Sequence, residues 1–171
     1  VLQGQQPHRV MAAKDSVEMT RYWHDIQPGE RFETGQLTIS KRDILEFAAA
    51  FDPQPYHLDS DAAATSIFGG LCASGWQVAA LMMRLLTDAL SAQAVPVVGL
   101  NSVPAMRWKM PVFADDTLSA QIIVTGREVV SRMKGAGSLD LDVVIFNQHR
   151  KPVIELSTRL MVAMDEPAHA D

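Results

Sequence analysis

The residues best suited to chemistry lie in Asp52-Pro53-Gln54-Pro55-Tyr56-His57-Leu58-Asp59, where a carboxylate and an imidazole stand five positions apart with two prolines between them. Proline lacks an amide donor and pushes the residue before it, here Asp52 and Gln54, toward extended backbone. The segment is therefore predicted as a stiff, bent loop and not a regular helix. A helix would turn positions five apart onto different faces; a bend can aim both side chains at one point. An aspartate and a histidine aimed at a single water or substrate proton form a minimal acid–base pair. Each also has a plainer role. Asp52 could cap the helix or turn after Phe51, and His57 could be a satisfied core histidine.

Other reactive side chains read more simply. Cys72, the only cysteine, lies between Leu71 and Ala73 and reads as a small buried filler. Ser74 is explained as an N-cap, since no His–Asp relay can be assigned to it. Asp59 is placed to cap a turn over Ser60–Ala64. Met82 and Met83 suit a core or the lining of an apolar pocket. Trp76 suits a pocket wall or plain packing, and His8, His24 and His169 read as solvated.

The whole chain narrows the choice of partner. Its 171 residues suit one domain with a core of its own. The apolar fraction is 47% and the charged fraction 20%, ordinary for a globular protein. A net charge of -5 with no basic cluster argues against nucleic acid and against an anionic membrane surface. A lone cysteine permits no intrachain disulfide and fits a reducing, cytoplasmic setting. The first residues, Val1 to Gln6, lack the apolar core of a signal peptide. The longest apolar run, Val78 to Leu86, is interrupted by Arg84 and is too short to span a bilayer.

The elements that must position Asp52 and His57 follow from periodicity. Residues 1–20 and 166–171 read as flexible tails around one domain over 21–165. Gln27-Pro28-Gly29-Glu30 signals a turn, and Arg31 to Ile39 a strand. Ser40, with Asp43 at the third helical position, opens a helix whose Ile44, Phe47, Ala48 and Phe51 share an apolar face. That helix must stop near Phe51, because Pro53 follows. After the Phe68-Gly69-Gly70 loop, a long helix from about Trp76 to Leu90 is apolar over most of its circumference, so other structure must wrap it. Beyond Pro96 the pattern turns to strands at Val97–Leu100, Ala105–Lys109, Thr117–Arg127, Gly137–Asn147 and Pro152–Met164. Strict alternation marks Leu118, Ala120, Ile122 and Val124, and again Leu139, Leu141, Val143 and Ile145, as inward-facing. Residues 147–151 read as a hairpin turn. The fold class is α+β, an antiparallel sheet enclosing one apolar helix, with sheet edges that invite a second subunit.

With these residues set out, the chain resembles the MaoC-like hydratase/dehydratase family, which includes (R)-specific enoyl-CoA hydratases. The family motif Asp-x-Asn-Pro-x-His-x-Asp is matched by Asp52-Pro-Gln54-Pro55-Tyr-His57-Leu-Asp59. The small-residue loop that leads to a helix-opening glycine is matched by Phe68-Gly-Gly-Leu-Cys-Ala-Ser-Gly75-Trp. The segment Met106-Arg-Trp-Lys-Met-Pro-Val-Phe-Ala-Asp-Asp-Thr-Leu118 resembles the family's Phe-x-x-Pro-Val-x-x-Gly-Asp-Thr-Leu. The three motifs occur in the family's order, and the similarity covers roughly residues 22 to 164. Gln54 departs from the family's Asn, and Ser74 from the His that often precedes the glycine.

The resemblance implies a hot-dog fold, a long helix wrapped by a curved antiparallel sheet, in a dimer or larger homo-oligomer. It implies an acyl thioester substrate, on coenzyme A or an acyl-carrier protein, and the addition or removal of water across its α,β double bond without metal or other cofactor. Asp52 and His57 would together hold and deprotonate the water, each such group contributing about 10²–10⁴-fold. The Gly75 amide, an orphan donor at a helix start, would stabilise the thioester oxygen, and glycine there would let the carbonyl approach the backbone. Two other functions remain open. One is a hot-dog thioesterase, although Val78–Leu86 offers no carboxylate for it; the other is a non-catalytic acyl-thioester binding subunit.

Overall fold

The computed structural model describes residues 19–130 and 134–165. The expected tails, apart from Met19 and Thr20, lie outside these residues, as do His8 and His169. Along the chain come a 3-10 turn (Trp23–Asp25), strands β1 (Arg31–Glu33) and β2 (Leu37–Thr38), and helices α1 (Lys41–Phe51), α2 (Pro55–Leu58), α3 (Ser60–Ala64) and α4 (Gly75–Ala92). Four long strands follow: β3 (Val97–Trp108), β4 (Thr117–Val129), β5 (Ala136–Phe146) and β6 (Pro152–Ala163).

All pairings are antiparallel, in the order β1-β4-β5-β6-β3, with β2 also paired to β4. The alternation in the sequence translates directly into an inner face. Leu118, Ala120, Ile122 and Val124 of β4 and Leu139, Leu141, Val143 and Ile145 of β5 are buried, as expected of residues two apart on a pleated strand. They form one apolar cluster with Val78, Met82, Leu85 and Leu86 of α4. This is the α+β hot-dog arrangement, with the sheet covering the apolar helix. No described helix is long and apolar enough to cross a membrane.

The expected strand over Arg31–Ile39 is instead two short strands. Both pair with β4, and between them the Thr34 hydroxyl accepts the Ala120 N–H at 2.7 Å, replacing a ladder bond with a side-chain bond. The two strands expected over Val97–Leu100 and Ala105–Lys109 are one strand, β3. It carries Pro104 because it is the sheet edge and its register with β6 shifts repeatedly.

Helix α1 begins as the sequence requires. The Asp43 N–H donates to the Ser40 hydroxyl, and the Ser40 N–H to the Asp43 carboxylate, a reciprocal cap. Its apolar face is shorter than expected. Ile44 and Ala48 are buried, but Phe51 is 76% exposed, because it is the last helical residue and the chain turns away at Asp52. The Phe51 ring rests against Phe47 instead, with ring centres 5.0 Å apart.

The Ser40 hydroxyl, then the Ser40 amide, and then the nearby Arg42 hold the Asp43 carboxyl below its ordinary range. A depressed carboxyl contributes stability above its unfolded pKa and loses it as pH falls through the folded value. Ser40→Ala is expected to lower stability by about 1 kcal/mol at neutral pH. In urea titrations the gap to the parent protein should narrow in acid, where Asp43 is protonated in both.

Candidate active site

Asp52 ends α1. Its main-chain N–H donates to the Ala48 carbonyl at 3.0 Å, so the backbone caps the helix and leaves the carboxylate free. The chain then tightens, with the Gln54 N–H on the Asp52 carbonyl at 2.7 Å. From Pro55 the expectation of a loop is wrong. Pro55–Leu58 forms helix α2, with Pro55 in its first turn. Proline is tolerated there, because the donor it lacks would have had no intrahelical acceptor and its fixed φ already suits a helix. The bend that swings His57 back toward Asp52 is therefore only Asp52–Gln54. Asp59 caps α3 as expected, accepting from the Asp61 and Ala62 N–H groups at 2.9 and 2.7 Å.

His57 is buried and its ring is held on several sides. Its Nδ1 lies 2.7 Å from the Cys72 carbonyl oxygen. A carbonyl only accepts, so Nδ1 carries the proton, and in the neutral ring the lone pair is on Nε2. Tyr56 packs edge-on against the imidazole with ring centres 4.5 Å apart, and Phe68 stacks over it at 6.5 Å. Nε2 faces Asp52 Oδ2 at 3.6 Å. That is too long for a direct hydrogen bond, and a water seated to one side, in the pocket, can reach both atoms.

The segment before α4 completes the site. The Ala73 N–H donates to the Val112 carbonyl at 2.8 Å, and Cys72 bridges to Phe113, which ties the segment to the loop after β3. Cys72 is buried as expected, and burial pushes its thiol pKa up, which makes it a poor nucleophile. Ser74 is the N-cap of α4, its Oγ accepting from the Trp76 N–H at 3.2 Å. The same hydroxyl donates to Asp52 Oδ2 at 2.6 Å. Gly75 opens the helix, and its N–H has no acceptor among the described residues.

Asp52, His57 and Gly75 all line one open pocket of about 420 Å³. Its other walls are mostly apolar and include Tyr56, Phe68, Val78, Trp108 and Met110. Trp76 is part of the wall; of the two places read for the methionines, the core holds, with Met82 inside it and Met83 packed against it. Among the described residues, Asp52 is the only carboxylate in the lining. Among the described residues, no three His, Cys, Asp or Glu side chains gather to hold a metal ion.

The sequence reading missed Trp108, Tyr56 and the Cys72 carbonyl. Trp108 was inside a recognised motif, but no spacing linked it to Gly75, more than thirty residues earlier. Its Nε1 donates to the Gly75 carbonyl at 2.9 Å. A Cβ at position 75 would lie 2.7 Å from that nitrogen. The neighbour that uses the space left by the missing side chain is thus Trp108.

Comparison with known proteins agrees with this fold. Residues 25–144 match the MaoC like domain family. The chain is 30% identical to the uncharacterized protein YdeM of Bacillus subtilis over 127 residues, 74% of this chain and 88% of that protein. It is 31% identical over 117 residues to the (R)-specific enoyl-CoA hydratase of Rhodospirillum rubrum, covering 68% of this chain and 76% of the hydratase. The crystal structure of a MaoC-like dehydratase from Rhodospirillum rubrum superposes with a TM-score of 0.73 at 32% identity, over 84% of this chain and 97% of that one. The chain belongs to the MaoC-like dehydratase family.

Gly75→Ala is expected to displace Trp108 and break its bond to the helix start. The measurable outcome is a changed tryptophan emission spectrum with a stability loss of about 1–3 kcal/mol, the usual cost of overpacking.

Proposed function

We propose that this chain hydrates the α,β double bond of an acyl thioester, or dehydrates the corresponding β-hydroxyacyl thioester, by way of one water held between Asp52 and His57. The observation that carries the proposal is the pair of acceptors across a 3.6 Å gap. The Nδ1 bond to Cys72 leaves the Nε2 lone pair facing Asp52, so a water there can donate one O–H to each group. As its oxygen bonds to the β-carbon, the pair accepts one proton and the π electrons move onto the thioester oxygen. The unpartnered Gly75 N–H, at a helix start, suits that developing charge; such a donor is worth roughly 3 kcal/mol. A proton returned from the pair to the α-carbon completes the addition of water. If His57 holds the proton in between, the facing carboxylate offsets the charge.

Support for a coenzyme A substrate and (R) stereochemistry comes from the relative that bears the name (R)-specific enoyl-CoA hydratase. A thioesterase of this fold would want a carboxylate on or near the central helix. The carboxylate that α4 itself carries, Asp88, is exposed and paired with Arg84 at 2.7 Å, so a thioesterase would have to use Asp52 at the helix start, and thiol release separates the two readings.

The edge strand β3 exposes Val97, Val98, Leu100 and Val103. A long apolar edge of this kind is suited to a second copy of the chain. We infer a homodimer, which light scattering should report as twice the 18.8 kDa chain mass; a monomer at micromolar concentration would remove the inference.

With crotonyl-CoA and longer enoyl-CoAs, the conjugated-thioester absorbance should fall without release of free thiol. Asp52→Asn and His57→Ala should each stay folded and lose at least about 100-fold in kcat. Thiol release would point to hydrolysis, and near-normal turnover in both variants would remove the mechanism.

A further inference from the structure

Ser74 does more than an N-cap requires. A cap needs only an oxygen that accepts, and the Trp76 N–H satisfies that demand at 3.2 Å. The hydroxyl proton is left over, and it goes to Asp52 Oδ2 at 2.6 Å, the length of a bond between a hydroxyl and an ionised carboxylate. Ser74 is fully buried, so water does not compete for that bond. Asp52, by contrast, keeps a quarter of its side chain exposed, and its backbone bonds, to Ala48 and Gln54, leave the carboxylate to be oriented by other groups. Among the described residues, Ser74 is the side chain that makes a direct hydrogen bond to this carboxylate. It also precedes Gly75, so one residue joins the acid to the helix start that bears the free amide.

We propose that Ser74 is a positioning residue: its hydroxyl holds the Asp52 carboxylate opposite His57 Nε2 and in register with the Gly75 amide. The proposal rests on the hydratase reading for its kinetic consequence but not for its geometric one. Ser74 need not touch substrate. Without its hydroxyl the carboxylate is free to rotate toward solvent, and the water loses one of its two acceptors. A displacement near 1 Å at such a site costs on the order of 100-fold.

The test compares Ser74→Ala, Ser74→Gly and Ser74→Thr with the parent protein, using an enoyl-CoA that the parent hydrates. Glycine lacks the hydroxyl yet is an acceptable N-cap, which guards against simple unfolding of the alanine variant. Expected is a fall in kcat of about 10–100-fold for alanine and glycine with little change in KM, and recovery of most of it by threonine. A folded variant without the hydroxyl that keeps parental kcat, or that changes KM alone, overturns the proposal. A crystal structure of Ser74→Gly provides a readout without turnover. Asp52 should swing away from His57 while α4 starts where it does now; an unmoved carboxylate overturns the positioning role. If the parent hydrates no enoyl thioester and Asp52 still swings away, the hydratase reading fails and the positioning role stands.

Discussion

The bond from His57 Nδ1 to the Cys72 carbonyl is the contact on which the arrangement of the site depends. At 2.7 Å and buried, it fixes both the tautomer and the direction of the ring. Were the ring flipped, carbon Cδ2 would face the Cys72 carbonyl and carbon Cε1 would face Asp52, and the geometry across the pocket would be lost. The acceptor is a main-chain atom, so its position is set by the path of the backbone. That path is fixed by the Ala73 bond to Val112 and the bridge from Cys72 to Phe113. Cys72 thus matters through its carbonyl. Its thiol, pushed up by burial, is incidental.

The same four residues, Cys72 to Gly75, gather bonds from separate parts of the chain. His57 comes from α2, Asp52 from the end of α1, Val112 from the loop after β3, and Trp108 from the end of β3. The segment can serve as a common anchor because displacing α4 is costly. Val78, Met82, Leu85 and Leu86 are buried against β4 and β5, so rotating or sliding the helix would expose apolar surface along its length. The hydrophobic core therefore does not merely stabilise the domain. It fixes the origin from which the site residues are measured.

Much of this was legible in the sequence, and the failures have physical causes. The strict alternation in β4 and β5 and the capping pattern at Ser40 are local signals, and both produced the expected structure. Over Asp52–Asp59 the two prolines point to a loop, but what proline does to a helix depends on its position. At the start of a helix Pro55 is an asset, and α2 follows. The exposure of Phe51 was hidden because periodicity cannot tell where along a helix its neighbours end. The pairing of Trp108 with Gly75 joins residues distant in sequence, with no periodic pattern to reveal it. The residue type of Ser74 announces a cap, while its second partner depends on where the bend carries Asp52.

Ser74 and His57 both approach the same carboxylate oxygen, and the serine is the nearer by a full ångström. That inequality matters for the chemistry. A protonated His57 bonded directly to Asp52 would form a buried pair, with the Nε2 proton committed to the carboxylate and no lone pair left to accept another. Such a pair is a good structural contact and a poor base. By supplying a direct partner of its own, the serine satisfies Asp52 without involving the imidazole, and the Nε2 lone pair stays available to a water seated beside the pair in the pocket. Serine at position 74 is a compact partner for the acid. A small side chain, anchored to the helix it caps, supplies one donor and takes up little of the space next to the pocket.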